Sequence, residues 1–239
     1  MSISAEIGGQ GLPGLVTAAS SEAVVGANCS FAMTPGLSAG AMNVLTEFGT
    51  EEMKKTYLPK MITGEWSGTM CLTEPNVGTF LGDLRTTAKK QDDGSYLITG
   101  TKMFITSGDH DLTKNIIHMV LARAEGSPKD IKGLSLFLVP KFRVNPDGSL
   151  GEPNDVVCSK IEEKMGIHAS ATCMLNYGDK GQCKGWILGN EGDGISLMFH
   201  MMNEARIGVG MQGVALGGVA YQLAKQYAKE RIKACTCCR

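Results

Sequence analysis

The stretch Met70-Cys-Leu-Thr-Glu-Pro-Asn-Val-Gly-Thr-Phe-Leu-Gly-Asp83 carries an apolar strand into a tight polar turn. Pro75 fixes its own φ, and Gly78 reads as the position where an otherwise costly backbone angle is tolerated. Thr73 and Thr79 supply short hydroxyls that reach a ligand with little loss of rotamer entropy. Such a turn offers backbone N–H donors to an anion, but ordinary structural β-turns share this composition. About thirty residues on, Gly100-Thr-Lys-Met-Phe-Ile-Thr-Ser-Gly108 places Phe104 and Thr106 two apart on a short strand, where side chains point the same way.

Together these two segments resemble the acyl-CoA dehydrogenase family, whose middle domain carries a Cys-Leu-Thr-Glu-Pro type turn followed by a strand with an aromatic, Ile and Thr. Further matching segments are Gly133–Pro140, Lys164-Met-Gly-Ile-His168 and Met201-Met-Asn-Glu-Ala-Arg206, so the resemblance covers nearly the whole chain. The insert from Asn145 to Asp155 and the Lys-Met-Gly-Ile-His wording are most similar to the larger bacterial branch, which includes methylmercaptopropionyl-CoA dehydrogenases. The resemblance implies an α+β fold, an antiparallel β middle domain flanked by partial N- and C-terminal helical domains. It implies FAD as cofactor, an acyl-CoA as substrate, an electron-transfer flavoprotein as electron acceptor, and a homodimeric or homotetrameric parent.

At the level of residues, the resemblance places Met70, Cys71, Leu72, Thr73 and Thr79 around the flavin, with Thr79 also near the acyl-CoA. Phe104, Ile105 and Thr106 correspond to the strand that covers the isoalloxazine face near N5, the atom that receives hydride. Asn203 and Arg206 correspond to substrate contacts, Arg206 offering a permanently charged planar fork. Plain core packing for Phe104 and a solvated helix-surface arginine are the competing readings. Glu74 is not the family's proton abstractor and reads as a residue that orders the turn. The family's base is a glutamate of the C-terminal domain with no counterpart in this sequence, so no catalytic residue is assigned and the chain alone is expected to be nearly inactive. A flavin monooxygenase or oxidase of the same fold, and a non-catalytic flavin-binding remnant, are the alternatives. One departure stands out: the family's turn continues Gly-(Ser/Thr)-Asp, whereas Phe80 follows Thr79 here, and an aromatic cannot supply the turn hydrogen bond an aspartate makes.

The 239 residues, 43% hydrophobic with a net charge of -1, fit a globular protein and give no case for nucleic acid or an anionic membrane surface. No apolar run is expected to span a bilayer, and no secretory signal is visible, so a cytoplasmic protein is expected. Of eight cysteines, Cys29, Cys71, Cys158, Cys173 and Cys183 sit among apolar neighbours and read as buried reduced thiols, while the tail Cys235-Thr-Cys-Cys238 lacks the paired spacing of a zinc site.

Four zones follow: a partial helical domain at 1–66, a β domain at 67–191, the first helices of a C-terminal domain at 192–232, and an atypical Cys-rich tail at 233–239. In the first, Ala39, Met42, Leu45 and Phe48 recur at helical steps, and Thr50 is placed to cap a second helix that turns Tyr57, Leu58 and Met61 inward. Strands are expected at 95–99, 116–121 and 134–139, with Asn145–Ser149 a surface turn in an exposed loop. In the last helical zone Ile195, Phe199, Met202, Ile207, Met211 and Val214 recur at steps of three to five. Gly208, Gly210, Gly213, Gly217 and Gly218 point to close helix packing; a transmembrane helix is disfavoured by Glu204, Arg206, Lys225 and Lys229. His168 is assigned no catalytic role, His110, His118 and His200 lack metal spacing and read as satisfied structural or surface residues, and Ser107-Gly108 lacks a nucleophile elbow.

Overall fold

The computed structural model describes residues 3–232. The Cys-rich tail at 233–239, and any metal reading of it, lies outside the described residues.

Three helices open the chain: α1 (Gly14–Ala27), α2 (Cys29–Phe48) and α3 (Glu51–Ile62). Side-chain caps set two of their starts. Asn28 Oδ1 accepts from the Phe31 N–H at 3.0 Å, and Thr50 Oγ1 accepts from the Met53 N–H at 3.2 Å, each satisfying a donor the helix itself leaves unpaired. Tyr57, Leu58 and Met61 are buried as expected; on α2 the buried stripe is Ala41, Met42, Val44 and Leu45, with Ala39 and Phe48 only half-buried.

The strands are β1 (Trp66–Cys71), β2 (Thr87–Lys90), β3 (Tyr96–Thr106), β4 (Asn115–Ala124), β5 (Leu134–Pro140), β6 (Phe142–Val144), β7 (Leu150–Pro153), β8 (Val156–Ile161), β9 (Thr172–Tyr177) and β10 (Lys184–Leu188). The main sheet runs β1-β4-β5-β10-β3-β9-β8, and β2 pairs with both β3 and β4. Strands β4, β5, β10, β3 and β2 therefore close into a ring. Antiparallel pairing predominates, with β1 and β2 both parallel to β4.

Closure explains why β4 and β5 read as unbroken apolar runs rather than alternating ones. Val120, Ala122, Ala124, Phe137 and Val139 point into the ring beside Ile98, Ile105, Leu175 and Tyr177. Their neighbours Ile117, Met119, Leu121, Leu134, Leu136 and Leu138 point out, into a second core shared with Val44, Leu45, Leu58, Leu197 and Met201 of the helices. A strand buried on both faces has no polar side to show.

The insert is more structured than an exposed loop. Asn145–Ser149 is a surface turn, but it joins β6 to β7 as a hairpin, and the following Asn154 is fully buried. Its side-chain amide donates to the Pro140 and Lys184 carbonyls at 2.9 and 2.7 Å, so this polar residue locks the hairpin to the sheet. The hairpin tip also docks on α3, where Lys60 Nζ donates to the Gly148 carbonyl at 2.9 Å and lies 4.8 Å from the Trp66 ring.

After the sheet comes one helix rather than several, α4 (Gly194–Glu230). Its packed face is Leu197, Met198, Met201 and Ala215, with Ile195 and Met202 of the residues read from the sequence packed beside them, whereas Phe199, Ile207 and Val214 are exposed. The expected close packing at its glycines is also absent, since Gly208, Gly210, Gly213 and Gly217 have open space where a side chain would stand. The close approach comes instead from α1, where a Cβ on Gly26 would meet Val219 at 2.9 Å. By length and composition α4 could cross a membrane, contrary to the expectation that no segment could, and a helix that packs on protein meets the same criteria.

The five described cysteines are free; Cys71, Cys173 and Cys183 are buried, whereas Cys29 and Cys158 are only half-buried.

Candidate functional site

Strand β1 ends at Cys71 and hands the chain to the polar turn. Two reciprocal backbone bonds close that turn, Glu74 N–H to the Val77 carbonyl at 2.8 Å and Val77 N–H to the Glu74 carbonyl at 3.1 Å. A third, Met103 N–H to the Thr73 carbonyl at 2.8 Å, fastens it to β3. The two segments singled out in the sequence thus touch directly, through backbone that regular strand pairing does not employ.

Beneath the turn lies a buried ion pair. Lys102 Nζ, 0% exposed, donates to Glu74 Oε1 and to the Leu72 carbonyl, both at 3.0 Å. Glu74 also accepts from the Arg85 N–H at 2.8 Å, and from the Thr86 N–H at 2.9 Å and the Thr86 hydroxyl. Burial pushes the Lys102 ammonium down to about 8 against the pull of Glu74, which leaves it charged at neutral pH. Burial works against the Glu74 carboxylate as well, but Lys102 and the donors from Arg85 and Thr86 outweigh it and hold its pKa below the usual range. Glu74 orders the turn, and no oxygen of it is free to serve as a base.

The costly backbone angle is not at Gly78. Its φ is ordinary, and a Cβ there would meet only Thr73 Cγ2 at 3.7 Å. The left-handed angles fall instead at Phe104 (φ 60) and Ser107 (φ 52). Register between β3 and β9 slips between Lys102 and Ile105, so both of those side chains turn inward and Phe104 is thrown out, 57% exposed. An aromatic held in an unfavourable conformation and left uncovered is backbone strain kept at a site. Thr106 is half-buried, and Ser107 is bonded to the Thr34 hydroxyl of α2.

The other candidates are placed as follows. Thr73 is half-buried and Thr79 exposed. Met70 and Leu72 pack on the helix-facing core. Cys71 and Ile105 are buried inside the ring, so only their backbone can meet a ligand; the Cys71 thiol accepts from the Tyr177 hydroxyl at 3.2 Å and is pushed up by burial. Phe80, 72% exposed, lies over Gly82, and the Glu74–Val77 closure is made by backbone groups alone, without an aspartate side chain. Asn203 and Arg206 are exposed on α4, Arg206 Nη1 donating to Asn203 Oδ1 at 2.7 Å with its guanidinium 5.5 Å from the Phe199 ring.

No histidine offers a base here. His168 and His200 are exposed. His110 Nδ1 accepts from the Leu112 N–H, which leaves Nε2 carrying the proton toward Ser67 at 3.2 Å, the wrong tautomer to activate that hydroxyl. His118 is fully buried; Nδ1 meets Thr69 Oγ1 at 2.7 Å but Nε2 has no partner, so it is not the satisfied residue expected. Among the described residues no group of three potential ligands could hold a metal.

The residue that sequence reasoning missed is Lys102. Its signal was a lysine on an apolar strand, with an acidic complement in the turn it was already paired with by motif.

A closed β ring with helices on one face, and a pinned polar turn beside an outward-thrown aromatic, defines an α+β protein of acyl-CoA dehydrogenase-like fold. The chain belongs to the acyl-CoA dehydrogenase family: residues 1–65 match the model "Acyl-CoA dehydrogenase, N-terminal domain" and residues 69–179 match "Acyl-CoA dehydrogenase, middle domain". Among curated relatives, 3-methylmercaptopropionyl-CoA dehydrogenase of Ruegeria pomeroyi is 47% identical over 96% of this chain and 38% of its own length. Butyryl-CoA dehydrogenase from Megasphaera elsdenii superposes with TM-score 0.81 at 28% identity, over 98% of this chain and 58% of that one. An acyl-CoA dehydrogenase complexed with FAD from Bacillus anthracis gives TM-score 0.80 at 30% identity, over 97% and 37%. The chain thus spans well under two thirds of the length of these relatives.

Proposed function

We propose that this chain carries the flavin site of an FAD-dependent acyl-CoA dehydrogenase, which oxidises an acyl-CoA thioester to its α,β-unsaturated product. The observation that carries the reading is the turn at 72–77 pinned against the Phe104 bulge, since the two motifs by which the family holds flavin meet in space. The residues present fit such a group: an exposed aromatic gives a flat face, and half-buried Thr73 and Thr106 with turn backbone give donors at its edge. When bound, FAD supplies the acceptor for the substrate's β-hydride.

The chain's own residues bind and orient. Leu72, Thr73 and Thr79 meet the cofactor's polar edge, Phe104 and Thr106 cover its face, and Asn203 with Arg206 meets the acyl-CoA. Proton removal falls to the glutamate of the family's C-terminal domain, and electrons leave to an electron-transfer flavoprotein. The division at 1–66, 67–191 and 192–232 follows the change from helical to strand periodicity and back. The exposed apolar side of α4 packs on protein rather than lipid, because the helix also carries Glu204, Arg206, Lys225 and Lys229, and the parent assembles as a homodimer or homotetramer in the cytoplasm.

The test is absorbance of the purified chain titrated with FAD, followed by anaerobic addition of acyl-CoAs. Bound flavin that acyl-CoA does not bleach supports the reading. Bleaching by the chain alone overturns the assignment of the base elsewhere, oxidation of substrate only with oxygen consumption favours the oxidase or monooxygenase alternative, and no flavin uptake favours the non-catalytic remnant.

A further inference from the structure

The buried pair beneath the turn does more than close it. Lys102 Nζ reaches two acceptors of different kinds, the Glu74 carboxylate and the Leu72 main-chain carbonyl. The second acceptor belongs to the turn's backbone. A trans peptide is planar, with its C=O and N–H on opposite sides, so a carbonyl drawn inward sends the N–H of the same peptide outward. That N–H is Thr73's, at the head of the turn. Glu74 meanwhile spans the other end, its two oxygens taking the Arg85 and Thr86 N–H groups. One ammonium thus sets the direction of the first peptide and, through Glu74, anchors the segment that leaves the turn.

A fold that needed only a filled space here could place an apolar residue, since two charges taken out of water lose much hydration and apolar replacement of such a pair is often neutral or stabilising. Nor can a neutral side chain easily replace the amine. The Leu72 carbonyl lies with the fully buried Lys102 against the ring, and a lost donor leaves that oxygen without its partner. Lys102 and Phe104 also share the bulge: the slip that turns Lys102 inward is the one that turns Phe104 outward. Both walls of the candidate cofactor site are set at this one irregularity.

We infer that Lys102 is a positioning residue for the cofactor-facing turn: by drawing the Leu72 carbonyl and the Glu74 carboxylate inward, it aims the Thr73 N–H at the ligand's polar edge. The inference rests on the flavin reading of that turn. It assigns Lys102 a role beyond packing, and the role is separable from stability because one acceptor is a side chain that can be neutralised and the other is backbone that cannot.

The experiment compares the wild-type chain with Lys102→Met, Glu74→Gln and the double variant, reading thermal stability without ligand and FAD affinity by fluorescence quenching. Lys102→Met leaves an unpaired buried carboxylate and loses both stability and affinity. In the double variant the unpaired buried charge is gone, so stability rises above that of Lys102→Met but stays below wild type, because the new amide opposes one N–H with its NH2 and the Leu72 oxygen still lacks its donor, while FAD affinity stays about ten- to a hundredfold weaker than wild type, the worth of a hydrogen bond from a charged donor. Hydrogen exchange of the peptide covering residues 70–80 remains faster in the double variant than in wild type at matched stability. A double variant that regains both stability and affinity overturns the inference alone and makes the pair purely structural. A wild-type chain that takes up no FAD overturns the flavin reading and the inference with it.

Discussion

Gly68→Ala is expected to unfold this chain more easily for a reason that can be localised to one pair of atoms. Gly68 sits in β1, two residues before Met70, where α2 crosses the strand. A Cβ there would stand 2.5 Å from Ala41 Cβ, 3.0 Å from Met61 Cε and 3.5 Å from Ser38 Cα. Apolar carbons rest about 3.5–4.0 Å apart, so helix and strand must separate by roughly 1 Å. The Met61 methyl can swing aside, whereas Ala41 can retreat only with the α2 backbone. That retreat also stretches the bond in which the Gly68 N–H donates to Ser38 Oγ, now 3.0 Å, and loses about 1 kcal/mol. Overpacking adds about 1–3 kcal/mol, and replacing glycine in a strand returns about 0.5–1, for a net loss of roughly 1–3 kcal/mol. Urea unfolding of four chains tests this: wild type, Gly68→Ala, Ala41→Gly and the double variant. Ala41→Gly alone costs about 1 kcal/mol as a glycine in a helix. The double variant removes the clash, so the two effects should couple favourably by at least about 1 kcal/mol. Additivity within about 0.5 kcal/mol, or a Gly68→Ala chain as stable as wild type, refutes the reasoning.

Three further outcomes are expected. At Phe104, φ 60 favours glycine, so Phe104→Gly should be more stable than Phe104→Ala by about 1 kcal/mol, the reverse of the usual strand preference, while both lose FAD affinity; denaturant midpoints and FAD titrations check this. Thr50→Ala removes the cap on the Met53 N–H and should cost about 1 kcal/mol, a fall of about 2–4 °C in Tm by calorimetry. Burial, with a smaller push from Lys141, lowers His118 to about 3, so the folded chain binds fewer protons than the unfolded one between pH 6.5 and 3. Its contribution is present above pH 6.5 and lost as pH falls, by about 2 kcal/mol at pH 5. Urea midpoints at pH 7 and pH 5 should therefore converge in His118→Asn relative to wild type.

Much of the architecture was legible because local chemistry set it. Thr50 with Glu51 and Glu52 marked the start of α3, and the three strands at 95–99, 116–121 and 134–139 were visible from β-branched and apolar runs between turn residues. The α4 face was read only in part: Ile195 and Met202 pack on the core, but Phe199, Ile207 and Val214 keep helical spacing whether or not a partner covers them, and periodicity reports amphipathicity rather than contact. The hairpin at 142–153 was read as loop because its anchor, Asn154, is polar and its strands are short.

At the site the division is sharper. The sequence by itself determined the family, the pairing of the two motifs, and the ordering role of Glu74, because these depend on residue types at fixed spacing along the chain. Only the tertiary structure decided that the strained angle lies at Phe104 and not at Gly78, that Cys71 and Ile105 turn inward, and that Lys102 lies beneath the turn. The placements of Phe104, Ile105 and Lys102 follow from one register slip between β3 and β9, a relation between two strands about seventy residues apart, and that of Cys71 from the pairing of β1 with β4; neither relation is contained in a single strand's own pattern.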